Sequence, residues 1–214
     1  MRFIYPRAQH EEARHGCSRQ AEPDSRHQCL IYDGSPSLQL PALAAMICRK
    51  MSAGYQCLYL NSQPMVAGMR SCLAATGMDV EGEVARGSLI LSAESTLAAD
   101  GSFDVELMLS KLEAALDGAL SAGYTGLWAS GDMTWEFGAE KNFAKLLEYE
   151  YQLEELMNRR PELSGVCQYH QDTLPAGTSA QALSTHRTLF VNESLTRHNP
   201  LYVPRTSSGG HHAA

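Results

Sequence analysis

Short apolar runs alternate along this chain with longer stretches in which apolar residues recur every three or four positions. The runs read as strands and the stretches as helices. His27–Tyr32 (HQCLIY) is the first predicted strand, and Asp33-Gly34-Ser35-Pro36 is the turn that ends it. Leu40, Leu43, Ala44, Ile47 and Met51 then line one face of a helix, with Pro36 or Pro41 in its first turn and Gly54 as its stop. Further strands are expected at 55–61, 88–92, 125–130, 164–170 and 189–192, and further helices at 64–76, 103–121, 139–159 and 179–186. Ser102 is the expected N-cap of the helix at 103–121. Strands alternating with helices in this way imply βαβ units, hence an α/β fold with a mainly parallel sheet and helices on both faces.

Composition narrows the reading. At 44% hydrophobic and 19% charged, the 214 residues can build a core. A formal net charge of −7 argues against nucleic acid as a partner. No apolar run approaches the roughly 18 residues needed to cross a bilayer, and the start does not read as a signal peptide, so a cytoplasmic location away from the membrane is expected. The six cysteines then read as reduced thiols. Residues 1–26 are polar and irregular, an expected flexible arm; 27–204 form the folded domain; 205–214 read as a flexible tail.

In open parallel sheets, ligands bind beyond the carboxyl ends of the strands. That rim would carry Tyr32, Asp33, Asn61, Ser92, Glu94, Asp132, Trp135, Tyr169 and His170. A phosphate-binding loop would place glycines and a lysine after the first strand. The chain instead has one Gly, two Pro and no Lys between Asp33 and Pro41. Proline removes amides where phosphate needs them, so ATP hydrolysis is not expected and no enzyme activity is assigned.

A few residues break their local pattern. Glu150 lies on the apolar stripe of its helix, between Leu147 and Leu153. Either it reaches solvent at the stripe's edge or caps a loop, or it faces a pocket, with His170, His186 or Trp135 as partner. Trp135 either walls an apolar pocket or covers the sheet edge, whereas Trp128 reads as core. Cys167 and Tyr169 point to one face of their strand and His170 to the other, which weakens a Cys–His pair as catalyst or metal site and leaves Cys167 structural. The arm's His15-Gly16-Cys17 and the nearby His27-Gln28-Cys29 do not have zinc-knuckle spacing. No metal and no cofactor is therefore expected.

Taken in order, His27-x-Cys29-x-x-Tyr32, Gly131-Asp132-Met133-x-Trp135, Tyr149-Glu150, Cys167-x-Tyr169 and Asn199-Pro200-x-Tyr202 resemble the MEDS domain, the sensory domain of methanogens and methylotrophs. The resemblance covers roughly residues 25–204. It implies a RecA/KaiC-like three-layer sheet and a bacterial signal-transduction role, sensing small hydrocarbon derivatives. It also carries over His27, Tyr32, Asp132, Trp135, Glu150, Cys167, Tyr169 and His186 as ligand-binding positions. Glu154 departs from it, standing where the pattern implies Asn. The expected function is a stand-alone sensor of a small, largely apolar ligand held at the rim. With no kinase or helix-turn-helix segment, it would signal to a separate partner such as a histidine kinase or transcription regulator. Oligomeric state is open, a homo-oligomer included. The alternatives are a degenerate RecA-like nucleotide-binding or NTPase module and a protein-interaction module without small ligand.

Overall fold

The computed structural model describes residues 26–93, 102–133, 143–175 and 177–204. The expected arm up to residue 25, the tail from 205, and Glu94 and Trp135 lie outside the described residues.

The strands are β1 (His27–Tyr32), β2 (Gln56–Leu60), β3 (Leu89–Ser92), β4 (Leu127–Asp132), β5 (Leu163–His170), β6 (Thr188–Asn192) and β7 (Leu195–His198). They form one sheet in the order β3-β2-β4-β5-β1-β6-β7. All neighbours run parallel except β6 and β7. The helices are α1 (Leu40–Ser52), α2 (Gln63–Ala75), α3 (Val80–Arg86), α4 (Val105–Ser121), α5 (Phe143–Arg159) and α6 (Thr178–Thr185). The expected three-layer α/β fold is therefore the observed one.

Two apolar cores flank the sheet. On one face Leu43 and Ile47 of α1 and Met69 and Leu73 of α2 pack on Cys57, Tyr59, Trp128 and Val166. On the other, Leu112 and Leu116 of α4 and Leu146, Leu153 and Met157 of α5 pack on Cys29, Leu127, Leu163, Cys167 and Tyr169. Strand side chains alternate between faces. Positions 163, 165, 167 and 169 of β5 therefore look towards α4 and α5, and 164, 166, 168 and 170 towards α1.

Sequence periodicity missed α3 and β7. α3 has seven residues and buries only Val80, too little for a stripe. Its ends are nonetheless marked, because the Asp79 carboxylate accepts the Gly82 amide at 3.0 Å and Gly87 follows at φ 75°. β7 has no buried residue and hangs on the sheet by its backbone. The expected cap Ser102 is replaced by Asp104, whose Oδ1 accepts the Leu107 amide at 2.9 Å. Phe103 precedes the helix and packs edge-on against Tyr149, ring centres 5.6 Å apart. β4 runs on to Asp132, so Gly131 and Asp132 belong to the strand rather than to the loop after it.

Gly165 of β5 pairs with Ala129 of β4. A Cβ there would sit 2.3 Å from the Ala129 carbonyl oxygen, and that atom is backbone in the middle of a ladder. Gly165→Ala is expected to destabilise the fold by about 1–3 kcal/mol, measured as a lower urea midpoint.

Candidate functional site

The residues singled out by sequence fall into two groups on opposite faces of the sheet. Tyr32 and Asp132 lie at the carboxyl ends of β1 and β4, facing α1. The Tyr32 hydroxyl donates to Asp132 Oδ2 at 3.0 Å, and its ring stacks on His170 at 5.0 Å. Burial, with Asp132 close by, raises the Tyr32 phenol well above the usual range. Beside them, Gly34 donates its amide to Asp172 Oδ2 at 2.9 Å, and His170 Nε2 donates to the Gly34 carbonyl at 2.8 Å. A carboxylate thus occupies an amide in the turn after β1.

His27, Glu150, Cys167, Tyr169 and His186 meet on the other face, all buried. The residues expected to orient a rim ligand, Asp132, Glu150 or His27, thus lie on two faces, because strand alternation and strand order separate them. His27 opens β1 and His186 precedes β6, at the amino ends of those strands, whereas Tyr169 is next to last in β5. His170, one expected partner of Glu150, faces the opposite side. Trp135, another, lies outside the described residues.

Glu150 is the centre of this group. α5 presents it between Leu146 and Leu153 on a buried stripe, and it has no exposed surface. Tyr169 donates its hydroxyl to Oε1. Oε2 lies 3.1 Å from His27 Nε2 and 3.3 Å from His186 Nε2. The His186 contact is close, yet Nε2 makes no hydrogen bond. Both imidazoles are pinned from behind. His186 Nδ1 is 2.8 Å from the Ala182 carbonyl, which can only accept, so the proton sits on Nδ1. His27 Nδ1 lies 2.9 Å from Glu154 Oε2. Glu154 is therefore a partner of His27. Cys167 Sγ closes the group 3.6 Å from His27 Nε2.

The electrostatics follow from burial. Burial alone would lower His27, but the Glu150 and Glu154 carboxylates outweigh it and raise its pKa to about 9. Burial alone would raise Glu150, yet His186 and His27 hold it well below the usual carboxylate range. Burial and the Glu150 charge raise Tyr169 and the Cys29 thiol. Sequence reading left one support unassigned. Asn199 donates to the carbonyls of Leu183 at 2.5 Å and His186 at 2.7 Å, which fixes the backbone that carries His186. Its place in the closing Asn199-Pro200 motif was the available signal.

Cys167 also lines a second feature, a cavity of about 30 Å³ between the sheet and helices α4 and α5. Its walls include Leu60, Met108, Leu112, Met133 and Leu153 and are almost wholly apolar. A wider, open concavity of about 450 Å³ near Cys48, Tyr55 and Tyr124 lies away from both groups of residues.

Glu150→Gln is expected to cost about 3–5 kcal/mol, since it strips the counter-charge from buried imidazoles. Tyr169→Phe removes one hydrogen bond to that carboxylate and should cost about 1–3 kcal/mol. Both are read by urea unfolding, and equal midpoints for wild type and Glu150→Gln would contradict the assignment.

Comparison with known proteins bears out the family resemblance. The chain is 26% identical over 164 residues to the transcriptional repressor DcmR of Methylorubrum extorquens (strain DSM 6343 / CIP 106787 / DM4), across 77% of this chain and 59% of that protein. The chain thus spans less than two thirds of the length of this curated relative. Residues 26–187 match the MEDS family, the methanogen/methylotroph, DcmR sensory domain, and the chain belongs to that family.

Proposed function

We propose that this domain senses a small, largely apolar molecule of the hydrocarbon-derivative class, held in the cavity beside Cys167, without hydrolysing ATP. The cavity carries the reading. By a comparable measure one water needs about 10–15 Å³, so some 30 Å³ suits a molecule of one or two carbons. Apolar walls disfavour water and favour such a guest. The family's sensory character and a repressor among its relatives support a signalling role. The signal would pass to a regulator of transcription or to a kinase, in the same polypeptide or another. Among the described residues, no helix is long and apolar enough to cross a membrane.

The turn after β1 argues against the nucleotide-binding alternative. Its Gly34 amide faces the Asp172 carboxylate, and Pro36 and Pro41 carry no amide proton. A triphosphate would meet negative charge there instead of donors.

Thermal shift with short alcohols, haloalkanes and ATP–Mg tests the reading. Stabilisation by a one- or two-carbon haloalkane or alcohol, and none by ATP–Mg, is expected. Leu112→Phe should fill the cavity and abolish the shift at a cost of about 1–3 kcal/mol in stability. A shift with ATP–Mg alone would sink the proposal.

A further inference from the structure

We propose that His27, Glu150, Cys167 and His186 form a binding site for a divalent transition-metal ion of the zinc class. The proposal stands on the geometry of these four side chains and does not depend on what occupies the neighbouring cavity.

Their donor atoms, His27 Nε2, His186 Nε2, Cys167 Sγ and a Glu150 oxygen, all lie within 4.8 Å of one another, and all four residues are buried. A tetrahedral ion with bonds of about 2.0–2.3 Å holds its ligand atoms roughly 3.3–3.6 Å apart. The contacts here are 3.1 Å for His27 to Glu150, 3.3 Å for His186 to Glu150 and 3.6 Å for Cys167 to His27. These three of the six donor pairs thus already have spacings close to those of a coordination sphere.

Orientation gives the second observation. Histidines that bind metal donate the far ring N–H to a carboxylate or a backbone carbonyl. His27 Nδ1 faces the Glu154 carboxylate, and His186 Nδ1 faces the Ala182 carbonyl. Each arrangement points Nε2 inwards. His186 Nε2 is fully buried and makes no hydrogen bond, although a carboxylate oxygen lies 3.3 Å away. A cation between that nitrogen and the carboxylate would satisfy both. Tyr169 occupies the other Glu150 oxygen and fixes the carboxylate plane.

Charge and ligand type complete the case. One thiolate and one carboxylate neutralise a divalent ion, which suits a centre shut off from water. Imidazole with thiolate selects zinc and its neighbours over magnesium or calcium. Four protein donors make the site closed, as in structural zinc centres.

Metal analysis and cobalt titration of the full chain test this. The wild type should hold about one zinc per chain, and Co²⁺ should give a thiolate-to-cobalt charge-transfer band. Cys167→Ser should lose that band, while Cys29→Ser, which alters the neighbouring buried thiol, should keep it. Glu154→Gln should keep the band but weaken cobalt binding by about 10–100-fold, because it loosens only His27. A wild type without the band, a band that survives Cys167→Ser, or unchanged affinity in Glu154→Gln would overturn the proposal. Should Cys167→Ser not fold, the Glu154→Gln affinity decides alone.

Discussion

A single carboxylate, Glu150, sets the terms for one half of this molecule. It is wholly buried on α5, within a stripe whose other members, Leu146, Leu153 and Met157, are apolar. A charge in that position is tolerated only with partners that satisfy both oxygens. Those partners come from three separate places: His27 at the start of β1, Tyr169 in β5, and His186 between α6 and β6. The sheet order brings β5, β1 and β6 side by side, so these residues gather under α5 only in this topology. The polar centre thereby ties the helix layer to one register of three adjacent strands.

Much of the architecture was legible because strand and helix periods are local properties. The six expected strands and five expected helices all have counterparts in the structure. Local reading also marked Glu150 as out of place and offered His186 as a partner. It could not supply His27, which lies 123 positions from Glu150 and touches it only through the sheet. The same gap explains the expectation that Asp132, Glu150 or His27 orients a rim ligand. Alternation tells which residues of one strand share a face, and it correctly separated Cys167 from His170. Relating β4 to a helix on the other side needs the strand order, which no spacing in the sequence states.

Sequence reading expected no metal on two grounds, the opposed directions of Cys167 and His170 and the spacing of the His15-Cys17 and His27-Cys29 pairs. The histidines near Cys167 in the fold lie on β1 and before β6, and neither shares a short motif with the cysteine. Closed sites assembled from single residues of four elements leave no knuckle spacing to recognise. What such sites do leave is a set of buried polar residues that each violate their own element's pattern, and Glu150 was the visible member of that set.

The apolar cavity and the polar centre share structural parts. Cys167 lines the cavity and also approaches His27, and α5 contributes Tyr149, Leu153 and Met157 to the cavity wall while carrying Glu150 and Glu154. A helix is stiff, so a guest that presses on Leu153 or Met157 bears on the carboxylates one turn away. Binding changes output only if the guest prefers one placement of α5 over another. An ion-pair centre with both imidazoles fixed from behind opposes gradual displacement, because each donor holds its direction only in one arrangement. If the proposed guest binds in the cavity, such a centre would favour a choice between discrete positions of the helix over a gradual shift.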